Sequence, residues 1–88
     1  TINTGWTEAY FTIQGHSRSF SAIVKIEMKD GKWSSPTVAS FSGKYNDLEP
    51  SFSPDGKRLY FASNRPTPEN PNKKDMDIWY VQKTDKGW

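Results

Sequence analysis

The stretch that decides the fold is EPSFSPDGKRLYFASNR, residues 49–65. Its first five residues have the composition of a short strand, and Pro54-Asp55-Gly56 then predicts a tight turn, because proline fixes φ and glycine tolerates positive φ. Residues 58–63 follow as a returning strand with apolar side chains on both of its faces. Because such a strand is stable only when both faces are covered, this hairpin predicts a sheet packed between other layers.

The composition of the chain favours strands over helices. Of its 88 residues, 33% are apolar and 15% are aromatic, the mean hydropathy is −0.88, and leucine is confined to Leu48 and Leu59. No apolar run approaches the roughly 20 residues that a membrane-spanning helix needs. The net charge of +2 is too small to indicate nucleic acid or an anionic membrane as a partner. The chain has no cysteine, which excludes disulfides, thiolate catalysis and cysteine-based metal sites. We therefore expect an all-β chain with no nucleic-acid partner and no membrane insertion.

Six strands are predicted in total, three in each half of the chain. They are residues 8–13, 22–28, 37–41, 49–53, 58–63 and 77–83. Asp30-Gly31 predicts a tight hairpin turn after the second strand, because glycine accepts positive φ. Pro36 lacks an N–H group, so it predicts that the third strand lies at a sheet edge.

The two halves form an internal repeat. Tyr10-Phe11 matches Tyr60-Phe61 at an offset of 50 positions. At an offset of 55, three residues of the first half, Ile23, Asp30 and Trp33, match Ile78, Asp85 and Trp88. A period of about 50 residues with short strands is typical of a β-propeller blade.

Residues 49–65, together with Asp77-Ile78-Trp79, resemble the repeat signature of TolB-type, WD-repeat-like β-propellers. The resemblance covers residues 49–83 closely, whereas residues 6–44 resemble the later part of a preceding blade with its Asn-Arg and Asp-Ile-Trp elements altered. It implies antiparallel four-stranded blades, whose strands a to d run outward from a central channel. It also implies a periplasmic or secreted bacterial protein that acts as a protein-binding platform or as an accessory domain of an enzyme.

On this assignment the chain is one structural unit, an incomplete propeller of about one and a half blades. Residues 1–48 are the C-terminal part of one blade, with strands b, c and d, and residues 49–88 are the N-terminal part of the next, with strands a, b and c. The chain would then begin and end within blades. Since its strands have two apolar faces, we expect them to be covered by other blades of the same propeller or by further copies of the chain.

The repeat motif itself has predicted structural roles. Asp55 is expected to cap its own turn. Arg65 and Asp77 flank one long loop, so an ion pair between them would fix the loop ends, with Asn64 bonding to loop backbone. We therefore assign structural roles to the motif residues Pro54, Asp55, Gly56, Asn64, Arg65, Asp77 and Trp79.

The long connections of an up-and-down sheet alternate with its tight turns, so residues 14–21, 42–48 and 64–76 are expected at one end of the molecule. Long loops on a rigid scaffold often bind partners. The alternative is a solvated polar rim. The candidate binding residues at this end are His16, Arg18, Lys44, Tyr45, Arg65, Lys73 and Lys74.

Catalytic patterns are sparse. His16 is the single histidine, and neither a nucleophile elbow nor a zinc-protease motif occurs in the sequence. Residues 75–77 lack the glycine and glutamate of a calcium loop. Spacing alone leaves open a carboxylate pair of Glu49 and Asp77 at the mouth of the channel. The sequence predicts a protein-interaction or ligand-binding scaffold with no catalytic centre, cofactor or metal. The alternative is an accessory propeller domain of a larger secreted peptidase or polysaccharide-degrading enzyme.

Overall fold

A computed structural model describes residues 1–15, 20–72 and 75–88, and within them seven strands form two antiparallel sheets without any helix. The all-β prediction is confirmed. The strands are β1 (Glu8–Gln14), β2 (Ser21–Lys29), β3 (Lys32–Trp33), β4 (Thr37–Val38), β5 (Asp47–Phe52), β6 (Arg58–Ser63) and β7 (Asp77–Gln82).

Sheet one is built around β2. β1 pairs with β2 along its whole length, from Glu8 opposite Glu27 to Gln14 opposite Ser21. β3 and β4 both pair with the other side of β2, so together they make one interrupted edge strand. The edge strand predicted at residues 37–41 ends at Val38 instead. The same sheet edge also includes β3, which lies before Pro36. In the interruption, the Ser34 hydroxyl accepts a hydrogen bond from the Glu27 amide at 2.9 Å.

The N-terminal residues add a further edge to sheet one, for which no strand is predicted from the sequence. Ile2 forms an antiparallel bridge with Ala9, and the Tyr10 amide donates to the Thr1 carbonyl at 2.8 Å. Sheet one therefore includes a short segment on the free side of β1.

The turn that follows this segment repeats the turn of residues 53–58 fifty positions later. The Asn3 amide donates to the Glu8 carbonyl at 3.0 Å, as the Ser53 amide donates to the Arg58 carbonyl at 2.9 Å. Trp6 has a φ of 57°, and Gly56, its equivalent, has a φ of 73°. The internal repeat is thus a repeat of backbone geometry as well as of sequence.

Sheet two has the order β5-β6-β7, with β6 in the centre. β6 pairs with β7 from Arg58 opposite Gln82 to Ser63 opposite Asp77. The pairing of β5 with β6 shifts register between Leu48 and Ser51, where Glu49 has a φ of 54°. A bulge at this point is consistent with Pro50, which cannot donate to the ladder.

The two sheets pack against each other through aromatic side chains. The Tyr10 ring from sheet one lies 5.6 Å from the Phe52 ring and 6.1 Å from the Trp88 ring, and Phe41 lies 5.1 Å from Phe61. Ile23 and Leu59 complete the buried cluster. No helix long and apolar enough to cross a membrane occurs in the part of the chain that the structure describes.

The Asp55-Gly56 turn has the predicted conformation. The Asp55 carboxylate accepts hydrogen bonds from the Ser53 hydroxyl at 2.7 Å and from the Lys57 amide at 2.9 Å, and these two bonds lower its pKa, the hydroxyl bond most. Gly56 has positive φ, with open space where a Cβ would lie. The turn is therefore held by the Asp55 side chain and favours glycine at position 56 for its backbone conformation, not for space.

Replacing Gly56 with valine is expected to lower the free energy of unfolding by more than about 1 kcal/mol, because a β-branched residue is strained at positive φ. Urea denaturation measures the loss. Gly5→Val is the matched control, since Gly5 lies in the equivalent turn outside the positive-φ region and its Cβ would meet only Thr7, at 3.9 Å. Equal losses in both variants would contradict the assignment of strain to Gly56.

Candidate binding end

The described parts of the three long connections meet at one end of the molecule. Asn46, in the connection before β5, accepts a hydrogen bond on its side chain from the Ser21 amide at 2.9 Å. Its own amide donates to the Asn64 side chain at 2.9 Å, and its carbonyl accepts from the Asn64 amide at 3.2 Å. Asn64 is predicted to bond backbone of the loop that it begins, and these hydrogen bonds join it instead to the connection before β5. We call this part of the molecule the loop end.

Arg65 holds the loop end together. Its Nη2 atom donates to the Phe41 carbonyl at 2.9 Å and to the Asp47 carboxylate at 3.0 Å, and its Nε atom donates to the Ser63 hydroxyl at 2.9 Å. Its guanidinium lies 4.9 Å from the centre of the Phe61 ring. Arg65 thereby joins sheet two to the connection between β4 and β5 through charge, backbone and aromatic contacts.

The sequence predicted Asp77 as the carboxylate partner of Arg65. The structure corrects this, because the ion pair of Arg65 is with Asp47. Asp47 and Asp77 lie opposite Ser63 on its two sides, one in β5 and one in β7, so both begin strands at the same level of sheet two. Asp77 opens β7 as expected.

Asp47 is fully buried, with 0% of its surface exposed. Its second carboxylate oxygen accepts from the Ser42 hydroxyl at 2.7 Å, and the Ser42 oxygen accepts from the Ile23 amide at 3.0 Å. The buried charge is thus compensated by an arginine and a hydroxyl, as a buried carboxylate requires. Sequence reasoning missed Asp47 and Ser42, since their partners are distant in sequence and no local motif marks them.

Beside Arg65 the loop end opens into a cleft of about 330 Å³. The Lys44 and Tyr45 side chains are exposed there, and the Arg65 guanidinium lies 5.5 Å from the centre of the Tyr45 ring. Ser40 and Ser42 also line the cleft. The site thus combines a lysine that has no ion pair among the described residues with an aromatic ring and serine side chains. Of the predicted binding residues, it brings together Lys44, Tyr45 and Arg65, whereas His16, Arg18, Lys73 and Lys74 lie outside the described residues.

The tyrosine hydroxyls occupy different environments. Burial, followed by the charge of Glu8, raises the pKa of Tyr10 to about 12. Its neutral hydroxyl accepts a hydrogen bond from Trp88 Nε1 at 2.6 Å. At the surface, a hydrogen bond with the Tyr60 hydroxyl raises the pKa of Arg58, and the electrostatic interaction with Tyr80 adds a smaller increase. The Arg58 guanidinium lies 4.7 Å from the centre of the Tyr80 ring.

The remaining predicted residues have structural positions. Pro54, Asp55 and Gly56 form the turn before β6, and Trp79 packs against the buried cluster. Glu49 is exposed at the bulge of β5, where its amide donates to Thr12 at 2.9 Å. Within the described ranges, no group of three or more His, Asp or Glu side chains is arranged to hold a metal ion.

Comparisons of the chain with protein-family models, with curated proteins and with solved structures found no match.

Proposed function

We propose that the chain is a β-propeller repeat module of about one and a half blades that serves as a protein-interaction scaffold and has no catalytic centre of its own. Two antiparallel sheets packed face to face, with equivalent turns fifty positions apart, support this assignment. The resemblance of residues 49–83 to TolB-type repeats adds a periplasmic or secreted location in bacteria to the proposal.

The observation that carries the binding role is the fixed cleft at the loop end. Arg65, which lines the cleft, is fixed by a buried ion pair with Asp47, so this side chain needs little ordering when a partner binds. Lys44 and Tyr45 stand exposed beside it. A cation next to an aromatic ring and hydroxyls suits a protein segment that carries carboxylates and an aromatic side chain. We therefore propose acidic protein segments as the ligand class.

A short glutamate-rich peptide with one tyrosine is the probe. We expect Lys44→Ala to weaken its binding about three- to tenfold and to reduce the salt dependence, since one charge contact is lost. Tyr45→Ala should weaken binding to a similar extent through loss of the ring. Isothermal titration calorimetry at two salt concentrations measures both effects.

Lys86→Ala is the matched control, because Lys86 is exposed near the turn of residues 84–87, away from the cleft. It should leave binding unchanged. If Lys86→Ala weakened binding as much as Lys44→Ala, the peptide would be responding to overall charge, and the proposed site would be wrong. Absence of any peptide binding would also contradict it.

A further inference from the structure

Each sheet has one buried face and one open face. Antiparallel partners project to the same side, so the register assigns every strand residue to a face. In sheet one, Tyr10 and Ile23 face the core. The open face of sheet one carries Phe11, Ile13, Trp33 and Val38 around the buried side chains of Ala22 and Val24, and that of sheet two carries Tyr60, Ile78 and Tyr80.

The repeat places the open face of sheet two at the positions equivalent to the buried face of sheet one, and a tyrosine and an isoleucine occur at the same positions in both. Ile23 is 0% exposed and its equivalent Ile78 is 75% exposed. Tyr10 is buried, and its equivalent Tyr60 lies on the open face. Sheet two thus exposes the positions whose equivalents sheet one packs into the core.

The converse holds for the open face of sheet one. Phe61 is 2% exposed in the core, whereas its equivalent Phe11 is 37% exposed. Trp88 packs against the core and its equivalent Trp33 is exposed. The equivalence extends to the backbone, because Lys29 pairs with Lys32 and Thr84 bridges Gly87 at the same offset of 55. The two open faces therefore occupy the repeat positions equivalent to the two sides of the interface that already exists inside the chain.

We propose that the open face of sheet two binds the open face of sheet one of a second copy of this chain, head to tail, in the geometry of the internal interface. This inference rests on the repeat organisation of the proposed function. The partner is a second copy of the chain because this chain supplies both halves of the contact. Such a heterologous contact leaves one free face at each end, so association continues beyond a dimer or closes into a ring.

One hydrogen bond identifies the geometry. Inside the chain, Trp88 Nε1 donates to the Tyr10 hydroxyl at 2.6 Å. The equivalent residues are Trp33 and Tyr60, so Trp33 of one copy donates to the Tyr60 hydroxyl of the next. Tyr80 lies beside Tyr60, with ring centres 5.6 Å apart, but its equivalent in the internal interface is Lys25. The Tyr80 hydroxyl therefore has no corresponding tryptophan.

The electrostatics of the two faces allow the contact. The side chains that β1 and β2 project onto the open face of sheet one are all uncharged. On the open face of sheet two, β6 and β7 contribute one charged side chain, Arg58, which lies over the Tyr80 ring. The contact thus buries no opposed like charges, and an arginine stacked on an aromatic ring is suited to an interface.

The test uses two single-face variants, Phe11→Lys in sheet one and Ile78→Lys in sheet two. Light scattering after size exclusion should show concentration-dependent association of the wild-type chain. Each variant alone should be a folded monomer by scattering and circular dichroism, because a lysine in the apolar contact weakens it by at least about 100-fold. An equimolar mixture should form a 1:1 heterodimer, since each variant retains one intact face and the two intact faces match.

A finer test uses the hydroxyls. Tyr60→Phe should raise the dissociation constant about three- to tenfold, the value of one hydrogen bond, and Tyr80→Phe should not change it.

A wild-type chain that stays monomeric at its solubility limit would overturn the inference, as would single-face variants that still dimerise or a mixture that does not associate. The peptide experiment tests the cleft at the loop end, whereas the association experiment tests the open sheet faces. Absence of peptide binding in a chain that still associates would therefore contradict the proposed function alone.

Discussion

Replacing Arg65 with leucine is expected to lower the free energy of unfolding by about 3–5 kcal/mol, a large part of the stability of a domain of this size. Asp47, which is 0% exposed, would lose its ion pair, and the Phe41 carbonyl would lose its side-chain donor. The Ser63 hydroxyl would keep only the hydrogen bond from the backbone amide of residue 65. Uncompensated burial of a charge is the dominant cost. Urea denaturation of dilute samples measures the change.

Arg58→Leu is the matched control, because it makes the same chemical change at an exposed arginine. Arg58 has a cation–π contact with Tyr80, and among the described residues it pairs with no buried carboxylate. Its replacement should cost less than about 1 kcal/mol. Equal losses from the two substitutions would contradict the special role of the buried pair.

The double variant Arg65→Leu with Asp47→Leu separates charge burial from packing. Removing both charges takes away the uncompensated carboxylate, so stability should recover by at least about half of the single-variant loss. Additive losses would instead show that Arg65 acts through its aromatic and backbone contacts.

Much of the fold could be predicted from local patterns. β6 occupies residues 58–63 as predicted, since its two apolar faces are bounded by the Asp55-Gly56 turn on one side and Asn64 on the other. The shared loop end follows from up-and-down connectivity, in which alternate connections lie at opposite ends. These features depend on residues close together in sequence.

The N-terminal turn could not be predicted. Its positive φ falls on Trp6, whereas the equivalent position in the second turn holds Gly56. Bulky aromatic residues rarely adopt this conformation, so the sequence around Trp6 carries no turn signal at that position. The Asn3 carboxamide oxygen, accepting from the Thr7 and Glu8 amides at 2.8 and 3.1 Å, holds the turn instead.

The partner of Arg65 could not be predicted for a different reason. Arg65 and Asp77 lie at the two ends of the same loop, so the sequence favours Asp77 as the partner of Arg65. Sheet two places both Asp47 and Asp77 beside Ser63, so register alone allows either. The choice depends on the connection before β5, where Ser42 binds the second oxygen of Asp47 at 2.7 Å. Such a contact depends on loop conformation, and no periodicity reports it.

Replacing Phe61 with alanine is expected to cost about 3–5 kcal/mol of unfolding free energy, through lost burial and the cavity left behind. Phe61 is 2% exposed, its ring centre lies 5.1 Å from that of Phe41, and the Arg65 guanidinium stacks on it at 4.9 Å. The substitution removes the side chain through which sheet two meets the connection from sheet one. Urea denaturation at low protein concentration measures the loss.

Phe11→Ala is the matched control, because the repeat places Phe11 at the equivalent position of sheet one, where no second sheet covers it. With 37% of its surface exposed, its removal should cost less than about 1.5 kcal/mol in the monomer. The same substitution should weaken association of the chain, because it removes the aromatic ring that would occupy the place of Phe61 in the contact between copies. The two substitutions would then differ in their cost to the free energy of unfolding, because only Phe61 is covered by a second sheet of its own chain. Equal losses of monomer stability would contradict this.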